Sequence, residues 1–232
     1  MAKDLSERNP ITRWSMLSSN PSVFCENNKC VVCGQVEGDL MFCYESSNVV
    51  YYKTRIINTS SDGKNVNYIP ITVPKKIIKN EKIGGKWIEA AGIIVTYRQG
   101  KNKEKGNSLH LNFCVFEYHI YDNQMEMYES SSANLTYLNG FVCQDAYSMV
   151  ASKVDFSLVI KNSEDKIIAD VPCVVFGEDG MKDAINLKRG QKVGFYGRFQ
   201  SRFYPKKLPS GETETKIAYE ITTRRVFIES LD

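Results

Sequence analysis

The chain carries the same pattern twice, at an offset of about 105 residues. Asn28-x-Cys30-x-Val32-x-Gly34-x-Val36 recurs as Asn134-x-Thr136-x-Leu138-x-Gly140-x-Val142. Tyr68-Ile69-Pro70-Ile71-Thr72-Val73 recurs as Asp170-Val171-Pro172-Cys173-Val174-Val175. Gly85-x6-Gly92, entering Ile93-Ile94-Val95-Thr96, recurs as Gly190-x6-Gly197, entering Arg198-Phe199-Gln200-Ser201. Three spacings kept in order mean a duplicated fold, and a unit of this size is a domain rather than one turn of a solenoid. The 232 residues accordingly divide into an extension over 1–26, a first copy over 27–121, a linker over 122–133 and a second copy over 134–229. Trp14 and Phe24 are the residues expected to order the extension against the body.

The texture within each copy is that of strands. In the first, Val49 to Ile57 is rich in β-branched and aromatic residues and ends at a polar turn cluster. Further strands are expected over 28–36, 68–73, 87–98 and 108–121, with a short helix over 75–82. In the second, strands are expected near 134–143, 153–161, 167–176, 191–204 and 214–228, with a short helix over 178–186. Five strands with a helix between the third and fourth is the order of the OB-fold, a Greek-key barrel. The predicted class is all-β, two tandem OB-fold barrels.

The fourth strand of the second copy is the most readable element. Val193, Phe195, Gly197, Phe199 and Ser201 alternate with Tyr196, Arg198, Gln200, Arg202 and Tyr204. The first set belongs inside, and the second presents aromatic, cation, amide, cation and aromatic to one outer face. Ring faces interleaved with guanidinium groups suit a single strand of nucleic acid, whose bases stack and whose phosphates need neutralising. Lys206 and Lys207 extend the cationic track, and Arg224 adds charge on the last strand.

The first copy differs at the same places. Aligning Gly92 with Gly197 turns Trp87, Ala91, Ile93, Val95 and Tyr97 outward, and an apolar outer row is normally covered. The cover expected is the other barrel or a second chain, the alternative being residues 1–26. Tyr97 and Arg98, with Lys101, Lys103 and Lys105, form a cationic hairpin tip, and Tyr51, Tyr52 and Tyr68 are candidate stacking residues.

Other chemistries find no support. The net charge of +3 is too small to attract anions without local clustering. His110 and His119, nine residues apart on one strand, are expected on opposite faces, and no catalytic constellation, phosphate loop or cofactor motif is legible. Cys30-x2-Cys33 has ligand-like spacing for zinc, but residues three apart on a strand point to opposite faces, so buried thiols are expected instead. Seven scattered cysteines, no apolar leader at Met1 and no membrane-length apolar run lead to the expectation of a reduced, soluble, cytoplasmic protein without a membrane partner.

The second half resembles bacterial single-stranded DNA-binding proteins. The residues that carry this are Asp155 to Val159, Pro172 to Gly177, Lys188 to Val193, Tyr196 to Arg202, Tyr204 and Tyr219-Glu220. The first half matches more faintly, and the whole resembles tandem-domain members of bacterial or phage origin. The resemblance implies a non-catalytic OB-fold protein that coats single-stranded DNA in replication, recombination or repair. It puts Phe176 and Tyr204 at base-stacking positions and Arg198 and Arg202 on the strand that contacts the backbone. Asp170 and Gln99 depart from the family's aromatics. Because one-barrel members generally assemble four barrels, a homodimer is implied. The competing readings are a protein–protein scaffold of a replication or mobile-element complex, and a binder of single-stranded RNA.

Overall fold

The structure is a computed structural model. It describes residues 27–60, 63–78, 82–99, 108–130, 134–208 and 210–229, and for residues 98, 99, 108 and 128–130 the backbone alone. The extension with Trp14 and Phe24, and Lys101, Lys103 and Lys105, lie outside the described residues.

The first copy contributes β1 (Asn28–Ser46), β2 (Val49–Thr59), β3 (Val66–Pro74), β4 (Trp87–Gln99) and β5 (Ser108–Tyr121). These run in the order β1-β2-β3-β5-β4, and β4 returns to pair with β1. Helix α1 (Gln124–Ser130) leads into β6 (Asn134–Val142), β7 (Tyr147–Val150), β8 (Lys153–Lys161), β9 (Ile167–Phe176), α2 (Glu178–Ala184), β10 (Lys192–Lys207), β11 (Thr213–Thr223) and β12 (Phe227–Ile228). The second ring is β6-β8-β9-β11-β10, closed by β10 on β6. Each ring has one parallel pair, β3 with β5 and β9 with β11. Both copies are therefore closed five-stranded OB barrels, with β7 and β12 as short additions on β8 and β10.

The repeated residues are those the barrel requires. Asn28 Nδ2 donates to the Ile94 carbonyl (2.7 Å) while Ile94 N donates back to Asn28 Oδ1 (2.9 Å). Asn134 makes the same two bonds with Phe199, each 2.8 Å. A buried amide side chain thus completes the fourth strand's ladder, satisfying groups that would otherwise be orphaned. A β-carbon on Gly92 or Gly197 would collide with the carbonyl oxygen of Cys114 or Thr222, so only glycine lets the fourth strand approach the fifth so closely. Strict alternation of burial along β6 and β8 turns Leu138, Val154, Phe156, Leu158 and Ile160 inward, where they meet Phe195 and Phe199 of β10.

The barrels join edge to edge. β1 pairs antiparallel with β6, Cys30 opposite Thr136, so one sheet runs through both rings. The linker stretch contains α1, capped reciprocally: Glu126 N donates to Asn123 Oδ1 and Glu126 Oε2 accepts from Asp122 N. This helix plants Met127 on the outer sheet face, in a cluster with Val31, Cys33, Ala91 and Tyr121, flanked by Trp87, Leu135 and Tyr137. The apolar row of the first copy is therefore covered at Trp87 and Ala91 by α1 and by β6. Ile93 and Val95 remain half-buried. Of the helix expected over 75–82, the described residues form a single 3-10 turn, Lys75–Ile77, after which Ile78 is extended. The β-branched Ile77 and Ile78 pack on the barrel core instead of continuing a helix.

Candidate nucleic-acid interface

β10 sets out its outer row as the alternation predicts. Tyr196, Arg198 and Arg202 are exposed, and Gln200 and Tyr204 are half-buried. An open groove of about 430 Å³ gathers Tyr196, Arg198 and Gln200 with Phe176 from the end of β9, Leu135 from β6, and Thr222 and Arg224. Four of the candidates read from the sequence, Phe176, Tyr196, Arg198 and Arg224, thus line one space. Its floor is fixed by Thr223 Oγ1, which donates to the Tyr196 carbonyl (2.7 Å). Tyr196 also packs on Tyr137 with ring centroids 4.9 Å apart. Sequence reasoning missed Tyr137, although its place between the repeated Thr136 and Leu138 already turned it outward.

Arg202, Tyr204, Lys206 and Lys207 do not line the groove but continue its row along the β10–β11 ribbon. Arg202 Nη2 lies 4.0 Å from Glu220 Oε2, and Lys206 and Lys207 stand opposite Glu214 and Thr213. The Arg202 side chain is 57% exposed while its Glu220 partner is only 13% exposed, so the cation is the half of this pair that solvent reaches.

Tyr68 lies elsewhere, at the seam between the barrels. β10 outlasts its own ring, so beyond Phe199 its inner row meets β3 of the first copy. Tyr68 N donates to Ser201 Oγ (2.9 Å), and Ser201 N donates to Asn67 Oδ1 (3.1 Å). Ser201, expected inside its barrel, is thereby half-buried in the seam. Phe203 meets Tyr68 edge-on at 5.7 Å, and the Arg55 guanidinium stands 5.7 Å from the Tyr68 ring centroid. Phe203 carried no local signal, since only the packing of one barrel on the other brings it to Tyr68, whereas Arg55 reaches Tyr68 through the pairing of β2 with β3 in the first barrel.

On the first copy's outer face, Tyr97 stacks on His110 (5.1 Å, 11°) and Tyr44 on Tyr51 (4.7 Å, 22°). Arg98 follows Tyr97 on β4, with its backbone alone described. Burial pushes the Tyr44 hydroxyl up to about 12, assisted by Cys114, Tyr51, Cys43 and Tyr97. Burial raises Tyr51 and Tyr97 in the same direction. These rings are neutral phenols at physiological pH and present no charge to a phosphate.

The two histidines share a face, contrary to the parity of their spacing. Phe116 is an extra residue in β5, bulged between Val115 opposite Gly92 and Glu117 opposite Ala91. The bulge resets the alternation, so His110 faces out beside Tyr97 and His119 beside Tyr121. Cys30 and Cys33 do part to opposite faces: Cys30 enters the barrel core and Cys33 the cluster under α1. Among the described residues, no three histidine, cysteine or carboxylate side chains are grouped to hold a metal ion. No described helix is long and apolar enough to cross a membrane.

Fold and site together define two tandem OB barrels fused through their first strands, with an aromatic and cationic groove on the second. Two solved structures of the single-stranded DNA binding protein from Thermus aquaticus share this architecture. The wild type matches at a TM-score of 0.64 and 12% identity, covering 88% of this chain and 94% of its own. A deletion variant matches at 0.64 and 13%, covering 88% and 95%. At these identities the likeness is one of fold. No family model and no curated protein matches the chain.

Proposed function

We propose that this chain is a non-catalytic protein that binds single-stranded DNA with little regard to sequence and protects it during replication, recombination or repair. The observation that carries this reading is the groove in which Phe176 and Tyr196 stand beside Arg198 and Arg224. Ring faces accept any base, contributing about 1–3 kcal/mol per stack, and guanidinium groups neutralise phosphates at a salt-dependent gain. Tyr204, Lys206 and Lys207 lengthen the track on one side. The first copy adds Tyr68, Tyr97 and Arg98, and beyond the described residues Lys101 and Lys103. The shared architecture with the Thermus aquaticus protein supports the reading.

The same proposal includes a homodimer that brings four barrels together, with half-buried Ile93 and Val95 at its contact. Light scattering tests the assembly, and a monomer at micromolar concentration would overturn it. Fluorescence titration with poly(dT) at two salt concentrations tests the binding. Tight, strongly salt-dependent binding is expected, and equal affinity for duplex DNA would overturn it. Competition by a matched RNA oligomer measures the choice of sugar.

A further inference from the structure

We propose a second, composite site at the seam between the barrels, where an unpaired base of the bound strand stacks on Phe203 and Tyr68 with its phosphate beside Arg55. It rests on the single-strand reading above and extends it to residues that neither copy unites alone.

Phe203 belongs to the row of β10 whose earlier members, Val193, Phe195 and Phe199, fill the barrel. It has outlasted that core and is 55% exposed. An aromatic ring turned to water beside a second ring and a cation is costly unless something covers it. Tyr68 supplies the second ring and is held in place from both sides of the seam by the bonds through Ser201 and Asn67. Arg55 is oriented by an ion pair through its Nε to Glu37, and its side chain is still 41% exposed. Tyr219 borders the same place: its half-buried hydroxyl is pushed up by burial and lies within the fields of Arg55, Glu37 and Tyr97. A platform, a wall and a cation fixed on two different barrels are the elements that capture a single base.

The path from the groove is short. Arg202 and Phe203 are consecutive on β10, one on the outer row and one toward the seam. β6 leaves β10 after Gly197, so among the described residues no strand pairs with the β10 edge beside β3. The other side of the seam repeats the geometry without the chemistry. Asp170 N donates to Thr96 Oγ1 (2.7 Å) as Tyr68 N does to Ser201, but the repeat sets a carboxylate where the first copy has the ring. The ring platform is thus present at one seam only, which gives each chain a single crossing.

The test uses the full chain with oligo(dT) of about 10 and about 40 nucleotides, the shorter within the span of one barrel. Ultraviolet cross-linking of the longer oligomer, followed by peptide mass spectrometry, should mark Phe203 or Tyr68. Phe203→Ala should abolish those cross-links and weaken the longer oligomer about tenfold, and Phe203→Trp should restore both. Phe203→Leu keeps the apolar volume without the ring, and the same losses are expected of it should the alanine variant unfold. Cross-links confined to Phe176, Tyr196 and their neighbours, with affinity unchanged in Phe203→Ala or Phe203→Leu, would overturn the seam site and leave the groove standing. Binding of neither oligomer would overturn both.

Discussion

Cys30 and Thr136 hold the same position in the two copies of the repeat, and the fold sets them face to face. Cys30 Sγ and Thr136 Oγ1 lie 3.2 Å apart, and neither residue has any exposed surface. They are direct partners in the pairing of β1 with β6, so an approximate two-fold axis passes through them. The bonds from Tyr68 N to Ser201 and from Asp170 N to Thr96 are related by that same axis. The chain is an internal dimer of its own repeat, and the proposed binding surface lies where the two halves stop being equivalent.

Burial pushes the Cys30 thiol up to about 12 from an ordinary value of 9.0, the Thr136 hydroxyl pulling the other way. Above pH 9 the unfolded chain therefore releases a proton that the folded chain keeps until about pH 12. Stability should fall as pH rises through that window and be insensitive to this group below it. Cys114, pushed up to about 11 by burial, acts in the same direction. Urea unfolding at about pH 8 and about pH 11 should show a smaller alkaline loss in Cys30→Ala than in the parent. Identical losses would mean that the folded state does not retain the proton.

Asn134→Ala should destabilise the second barrel by about 2–4 kcal/mol, since it strands the N–H and carbonyl of Phe199 in the core. Asn28→Ala should cost the first barrel a similar amount through Ile94. Denaturant titration reads both. A loss under about 0.5 kcal/mol would show that the amide clamp is dispensable.

Tyr196→Ala and Arg198→Gln should separate stacking from charge. The first should cost about 1–3 kcal/mol of single-strand affinity at every salt concentration. The second should lower the log–log salt slope by about 0.7, the share of one phosphate contact. Both residues are exposed, so melting curves should stay in place. Unchanged binding in both variants would remove the groove from the site.

Met127→Ala should cost about 2–4 kcal/mol by opening a cavity under α1. Because Met127 is only 1% exposed and packs in the cluster that Trp87 borders, the Trp87 emission should also move to longer wavelength. A silent variant would show that α1 does not hold the outer face.

What the sequence determined by itself was whatever depends on local alternation and on repeated contacts. The period of two along Val193 to Tyr204 is a property of any extended chain with one face in a core, so the outer row was readable residue by residue. The paired Asn28 and Asn134, and Gly92 and Gly197, were visible because each barrel imposes the same requirement at the same place. The tertiary structure alone decided where the halves meet and what covers them. Phe116 bulges because two long strands must bend around a closed ring, and one unpaired residue reverses the parity of everything beyond it. Met127 covers Ala91 because a capped helix in a polar stretch finds the apolar face nearest to it. Tyr68 and Arg55 are neighbours on the paired strands β2 and β3, but Phe203 lies far along the chain, and only the edge-to-edge joining of β1 with β6 brings it to them. Pattern specifies a face; packing over distance specifies its neighbours.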